Sequence, residues 1–125
     1  MQLLAIAGGG AMGALLRYLV GLLVYSVLDD SWPYGTLAVN ILGSFLIGFL
    51  WQLFDLNSYS QTSRLLIFTG GLGAFTTFST FSLESLTLLQ AGRIRAWGMY
   101  ALASNLGGLA AVWIGFQLSR WLFSR

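Results

Sequence analysis

The side chains able to do chemistry in this chain are few, and their absences narrow the options first. The 125 residues include six arginines and four acids, with no lysine, histidine or cysteine. Without histidine there is no serine–histidine triad, and without cysteine there is no thiol chemistry, disulfide or ordinary zinc site. Glu84 is the one acid inside an apolar stretch. No second carboxylate or nucleophile–base pair lies near it at helical spacing, so acid–base catalysis lacks a partner. No enzyme is expected. What remains is the chemistry of hydroxyls, amides, aromatic ring edges and the backbone itself. It concentrates in residues 70–82, where Gly70, Gly71 and Gly73 precede Thr76, Thr77, Ser79, Thr80 and Ser82, interleaved with Phe75, Phe78 and Phe81. Glycine lowers the cost of leaving helical geometry, and Gly73 is expected to adopt a backbone shape closed to other residues. Broken helices recur in transporters and channels, where freed carbonyls bind cations and helix N-termini face anions. The plainer alternative is a glycine-rich site of helix packing.

Further polar residues fall into stripes. Thr36, Asn40, Ser44 and Gly48 recur at i+4, as do Tyr100, Ser104 and Gly108, with Asn105 beside them. Glycine and alanine four apart suit close helix contact. An amide in hydrocarbon needs several partners, so Asn40 and Asn105 either join helices or line a polar path. Arg17 is the one charge deep in an apolar run, and a central arginine costs at least ~2.5 kcal/mol on insertion scales. It must therefore face protein or water. Its permanent charge suits contact with carbonyls or attraction of anions, not proton coupling.

The elements that position these residues are membrane spans. The chain is 57% hydrophobic and 8% charged, against ~25% charged residues in soluble domains. Its mean hydropathy is +0.77. Charge-free or nearly charge-free runs cover 1–28, 31–54, 65–83 and 96–119. Each is long enough for a spanning helix of ~20 residues. The expected architecture is an all-α membrane protein, one four-helix domain over 1–125 with spans at about 2–28, 34–54, 64–90 and 95–122, the third broken. The N-terminal run lacks a basic start and carries Arg17, unlike a cleaved signal peptide. Trp32, Tyr34, Trp51, Tyr59, Trp97 and Trp121 fall near span ends, where aromatic belts form. Too little positive charge is present to expect nucleic acid as a partner.

Arg64, Arg120 and Arg125 fall on one side of four alternating spans, and Arg93 and Arg95 on the other. A clear arginine bias is what fixes orientation. A division of three to two leaves two readings: orientation fixed by other cues, or insertion both ways followed by antiparallel pairing.

The motifs GAMGALLRY at 10–18, GTLAVNILGSFLIG at 35–48 and GGLGAFTTFSTFS at 70–82 resemble the Fluc fluoride channels, also called CrcB proteins. The resemblance covers all four spans. It implies an antiparallel, dual-topology homodimer in the bacterial cell membrane, exporting fluoride passively and so lowering fluoride in the cytoplasm. By the same resemblance Phe78 and Phe81 present ring edges to the pore, and Asn40 donates its amide. Tyr100 and Ser104 are its fourth-span polar positions, with Thr77 and Thr80 as added hydroxyls. Gly73 and Thr76 match positions whose carbonyls hold a central, non-transported sodium ion. Arg17 matches the family's first-span arginine, at a vestibule or interface, and Glu84 is a second charge of that kind. Gly108 stands where some relatives carry a hydroxyl, which interrupts the fourth-span polar stripe. The alternative function is a small dual-topology multidrug or cation exporter. That class is expected to carry a carboxylate in its first span, where this chain has Arg17.

Overall fold

The computed structural model describes residues 1–123. Arg125, one of the arginines counted above, lies outside the described residues. Those residues form helices joined by short connections: α1 (Gln2–Val27), α2 (Tyr34–Leu56), α3 (Gln61–Arg64), a wide-turn π-helical segment π1 (Leu65–Leu72), α4 (Gly73–Phe75), α5 (Phe78–Gln90) and α6 (Ile94–Phe123). Four stretches are long and apolar enough to cross a membrane: Gln2–Val27, Tyr34–Leu56, Gln61–Gln90 and Ile94–Phe123. Long leucine-rich runs supply this length, and their outward side chains stay exposed, including Leu15, Leu19 and Leu23 on α1 and Leu102, Leu106 and Leu109 on α6. In water such surfaces would aggregate; in lipid they meet hydrocarbon.

Backbone-to-backbone contact at small residues, more than a large side-chain core, holds the spans together. On α1, a Cβ at Gly9 would fall on the Leu66 carbonyl, and one at Gly13 on the Gly71 carbonyl. Gly70 of π1 returns the contact, 2.6 Å from the Ile6 carbonyl oxygen as measured to an added Cβ. This interlocking explains the glycines at four-residue spacing on α1, because lipid gives helices no hydrophobic drive to associate and close packing must substitute.

The second such seam joins α2 to α6. A Cβ at Gly48 would fall on the Val112 carbonyl, and one at Gly115 on the Phe45 carbonyl. The two helices run parallel and in register. The Trp32 indole nitrogen donates to the Ala96 carbonyl at 3.1 Å across 64 residues. The same offset relates Gly48 to Val112, and Ser44 to Gly108, where an added Cβ would lie 3.5 Å from the serine Oγ. Thr36 is thereby level with Tyr100, and Asn40 with Ser104.

The turns fix this arrangement at one end. Gly92 takes φ +70°, a left-handed conformation that glycine adopts without steric cost, and reverses the chain from α5 into α6. From the following residue, Arg93 donates to the Ser31 carbonyl at 2.6 Å, tying this turn to the α1–α2 connection. In that connection the Ser31 hydroxyl and amide hold the Asp29 carboxyl below the usual aspartate range. At the other end, Ser60 caps α3 by accepting from Ser63 N at 3.1 Å, and Arg64 donates to the Phe54 carbonyl at 3.0 Å.

Glycines inside the two seams and a glycine outside them should respond oppositely to added bulk. Gly48→Val and Gly13→Val should each destabilise the folded protein in detergent by about 1–3 kcal/mol or prevent its recovery, as overpacking does. Gly21→Ala, whose Cβ meets nothing within 4 Å, should leave the thermal midpoint nearly unchanged. Thermal unfolding of the three variants beside the parent checks this.

Candidate functional site

Between α4 and α5 the backbone leaves helical geometry for two residues. Thr76 has φ −80° and ψ 157°, and Thr77 has φ −148° and ψ 112°. The departure falls on threonines and not on the glycines. Gly73 is right-handed helical, with φ −63° and ψ −35°, and an added Cβ there would meet only the Phe68 carbonyl oxygen, at 3.5 Å. The expectation of a special backbone shape at Gly73 is thereby corrected. Extended threonine is unstrained, since a β-branched residue favours that region. The glycines at 70 and 71 serve the contact with α1 instead.

Extended backbone at membrane depth must find hydrogen-bond partners in the protein. Asn40 supplies them from both ends of its amide. Its Oδ1 accepts from Thr77 N at 2.8 Å, and its Nδ2 donates to the Thr77 carbonyl at 3.1 Å. Thr77 then caps α5, its Oγ1 accepting from Thr80 N at 3.2 Å and donating to Thr80 Oγ1 at 2.9 Å. These bonds have a consequence for two carbonyls. In a continuous helix Gly73 O would accept from Thr77 N, and Thr76 O from Thr80 N. Both donors are diverted, the first to Asn40 and the second to the Thr77 hydroxyl. Neither carbonyl therefore has its helical donor.

Two cavities flank this junction. One of about 350 Å³ is lined by Asn40, Gly43, Ser44 and Ile47 of α2, by Phe68, Leu72, Gly73, Thr76, Thr77, Phe78 and Phe81, and by Ser104 and Asn105 of α6. The other, about 180 Å³, is lined by Arg17, Gly21 and Tyr25 of α1, by Gly35, Thr36 and Val39 of α2, and by Thr77, Thr80 and Glu84. Thr77 lines both. Glu84 is held in place by Thr36, which donates to Oε1 at 2.8 Å, and by Tyr100, which donates to Oε2 at 2.6 Å. An aromatic column leads from Tyr100 outward: its ring is 5.1 Å from that of Phe81, which is 5.7 Å from that of Phe78. Trp32 closes the far side of Tyr100, edge-on at 5.4 Å. Tyr100 is fully buried, whereas Phe78 is 79% exposed.

Residues 4–116 match the family described as CrcB-like protein, Camphor Resistance (CrcB). This chain belongs to the CrcB family. It is 51% identical to a protein of Salinibacter ruber named fluoride-specific ion channel FluC, over 92% of this chain and 86% of that protein. A FluC protein of Roseiflexus sp. is 47% identical over 98% of this chain and 99% of its own length. One from Agrobacterium fabrum is 48% identical, covering 94% and 95%. With four spanning helices and these relatives, this CrcB protein is a multi-pass protein of the bacterial cell membrane.

The fold of this CrcB protein sorts the residues singled out in the sequence. Asn40, Gly73, Thr76, Phe78, Phe81 and Ser104 line the larger cavity, Arg17, Thr80 and Glu84 the smaller, and Thr77 both. Tyr100 lies behind them, joined through Glu84. Among the described residues no ion pair joins Arg17 to Glu84, although they share a cavity. Asn105 is exposed and donates to the Ala101 carbonyl one turn back, at 2.7 Å. Thr36 was absent from the expected site, and its hydroxyl is what fixes one Glu84 oxygen. The available signal was its place one turn before Asn40 in the same stripe.

The Asn40 clamp predicts a graded loss. Asn40→Ala strips partners from a backbone N–H and a carbonyl together, and should lower stability by about 1–3 kcal/mol for each buried group left unsatisfied. Asn40→Asp keeps the acceptor for Thr77 N, but when ionised it buries a charge and sets its second oxygen against the Thr77 carbonyl, so its loss should equal or exceed that of Asn40→Ala at high pH and shrink at low pH, where the protonated acid can donate to that carbonyl. Thr77→Ala removes the α5 cap, which is typically worth ~1 kcal/mol. Thermal unfolding in detergent ranks the three.

Proposed function

We propose that this protein is a fluoride-selective channel that carries the anion passively out of the cell, and that two copies pair antiparallel to form it. The observation that carries the reading is the larger cavity, which amide- and hydroxyl-bearing residues line together with Phe78 and Phe81 at the junction of α4 and α5. Its relatives' names supply the ion: fluoride-specific channels at 41–51% identity. Aromatic ring edges carry partial positive charge and contact an anion without a formal cation. Neutral donors suit conduction, because a site must hold the ion weakly enough to release it. No catalytic role is assigned to any residue.

Pairing follows from where the polar groups lie. Gly73 and Asn105, which line the cavity, are exposed on the single chain, with Phe78 beside them. Polar groups facing hydrocarbon are costly, and a second copy set against this face would enclose them. The near-equal division of loop arginines favours an antiparallel pair. In such a pair, the break at Thr76 and Thr77 would bring the two carbonyls with diverted donors, Gly73 O and Thr76 O, close to the partner copy. A carbonyl pair from each copy gives four hard oxygen donors, which fits a sodium ion as a resident structural cofactor. Bound there, the ion would supply fixed positive charge that holds the two junctions together. The exporter alternative lacks its carboxylate: α1 carries Arg17, and Glu84 is engaged by Thr36 and Tyr100.

Purified protein in liposomes should release fluoride far faster than chloride. In bilayers its current should reverse at the fluoride Nernst potential, whatever the proton gradient. A reversal potential that follows the proton gradient at fixed fluoride would show coupling and overturn the channel. Replacing both Phe78 and Phe81 by Ile keeps apolar bulk but removes the ring edges, and should cut fluoride flux by at least roughly a hundredfold if two such contacts stabilise the ion. Normal flux in that variant overturns the aromatic pathway. C-terminal reporter fusions should appear on both sides of the membrane, and one orientation with full activity would overturn the antiparallel pair.

A further inference from the structure

In the larger cavity most polar groups are already engaged within the chain. Asn40 commits its oxygen and one of its two N–H groups to Thr77, and Thr76 Oγ1 donates to the Leu72 carbonyl at 3.1 Å. Two hydroxyls in the same cavity have no partner in the chain. Ser104 Oγ is buried and unpaired. Ser44 lines the cavity with no hydrogen bond to any described residue. A serine in a helix ordinarily bonds the carbonyl one turn back when nothing else is offered, as Ser82 does here to Phe78 at 2.9 Å. A buried hydroxyl without a partner, as at Ser104, points to a ligand or water that supplies one, and half-buried Ser44 turns an equally unpartnered hydroxyl to the same cavity.

The register of α2 and α6 sets these hydroxyls in sequence. Asn40 is level with Ser104, and Ser44, one turn of about 5.4 Å further on, is level with Gly108. An added Cβ at Gly108 would stand 3.5 Å from Ser44 Oγ, so the missing side chain leaves the space in front of that hydroxyl open. One turn beyond, Gly48 packs directly on the Val112 backbone and closes the seam. The geometry points to Ser44 as an anion-contacting residue, the donor that follows the Asn40–Ser104 level along the permeation path, with Gly108 keeping its approach clear. The gap that Gly108 leaves in the α6 stripe is thus filled from α2. A hydroxyl donates one proton to an anion and carries no charge, which suits a site the ion must leave.

This inference rests on the fluoride-channel reading, and one flux experiment separates the two. Ser44→Ala, Gly108→Ser and the double variant are reconstituted in liposomes beside the parent, after size-exclusion chromatography shows each is monodisperse. Ser44→Ala should slow fluoride efflux roughly tenfold, the scale of one lost hydrogen bond to a charged group. The double variant puts a hydroxyl back at the same level from the opposite helix, and should recover most of that loss. A merely structural serine would not be rescued from α6. Unchanged efflux in Ser44→Ala overturns the assignment, as does a loss that Gly108→Ser fails to restore. If the alanine variant does not fold, Ser44→Thr and its near-isostere Ser44→Val make the same comparison: the threonine, which keeps the hydroxyl, should conduct well above the valine, and equal efflux in the two overturns the assignment. A parent protein that releases no fluoride would overturn the channel reading instead.

Discussion

Hydrocarbon offers no hydrogen bonds, and the shape of this protein's centre follows from that one fact. A span can leave helical geometry only where protein supplies what water would have supplied. Here the supplier is the single amide of Asn40, which both accepts from and donates to the backbone of Thr77. The cap formed by the Thr77 hydroxyl on Thr80 N completes the turn into α5. The bonds from Thr77 N to Asn40 and from Thr80 N to the Thr77 hydroxyl each take a donor away from a carbonyl, so satisfying the junction leaves Gly73 O and Thr76 O without their helical donors. The same few side chains stabilise the junction and set up its chemistry.

The rest of the fold serves to keep Asn40 opposite Thr77. The α2–α6 seam locks α2 at Gly48 and Gly115, and the α1–π1 seam locks the third span at Gly9, Gly13 and Gly70. Both seams bring backbone against backbone, which leaves little freedom to slide. A slip of one residue on either would turn the amide away from its partner by about 100°, the rotation per residue at 3.6 residues per turn. The Glu84 cluster adds a third tie, joining α2 and α6 to α5 through Thr36 and Tyr100.

Spacing made some of this legible in the sequence. The i+4 stripes through Asn40 and Ser104 marked the facing sides of α2 and α6, and charge-free runs marked the spans. Three things were not legible, for physical reasons. Glycine marks where a backbone is free to bend, but Asn40 and the Thr77 cap decided where it does, so the extension lies at Thr76 and Thr77 and Gly73 stays helical. An isolated carboxylate at a span end looks solvated, yet Glu84 is bound by hydroxyls from two other helices, 48 and 16 residues away. The register of two helices depends on contacts between small residues whose partners are far apart in sequence, so a stripe on each helix does not say which levels face each other.

Charge placement keeps formal charge out of the proposed anion pathway. Arg17 and Glu84, the two charges set more than a turn inside the spans, share the smaller cavity, behind Thr77 from the larger one. The polar groups of the larger cavity are all uncharged, amides, hydroxyls and backbone, set among the rings of Phe68, Phe78 and Phe81 and the side chains of Ile47 and Leu72. A cation drawn into it would meet carbonyls but no formal negative charge, and an anion would meet donors but no formal positive charge. Coulomb energy scales inversely with the local dielectric, so a full charge in such a place would bind an opposite ion too strongly for rapid turnover. In the proposed pore, discrimination therefore rests on the number and placement of neutral donors, set by the register of α2 against α6. On that view a shift of one helical turn would change selectivity more than the loss of a surface arginine would.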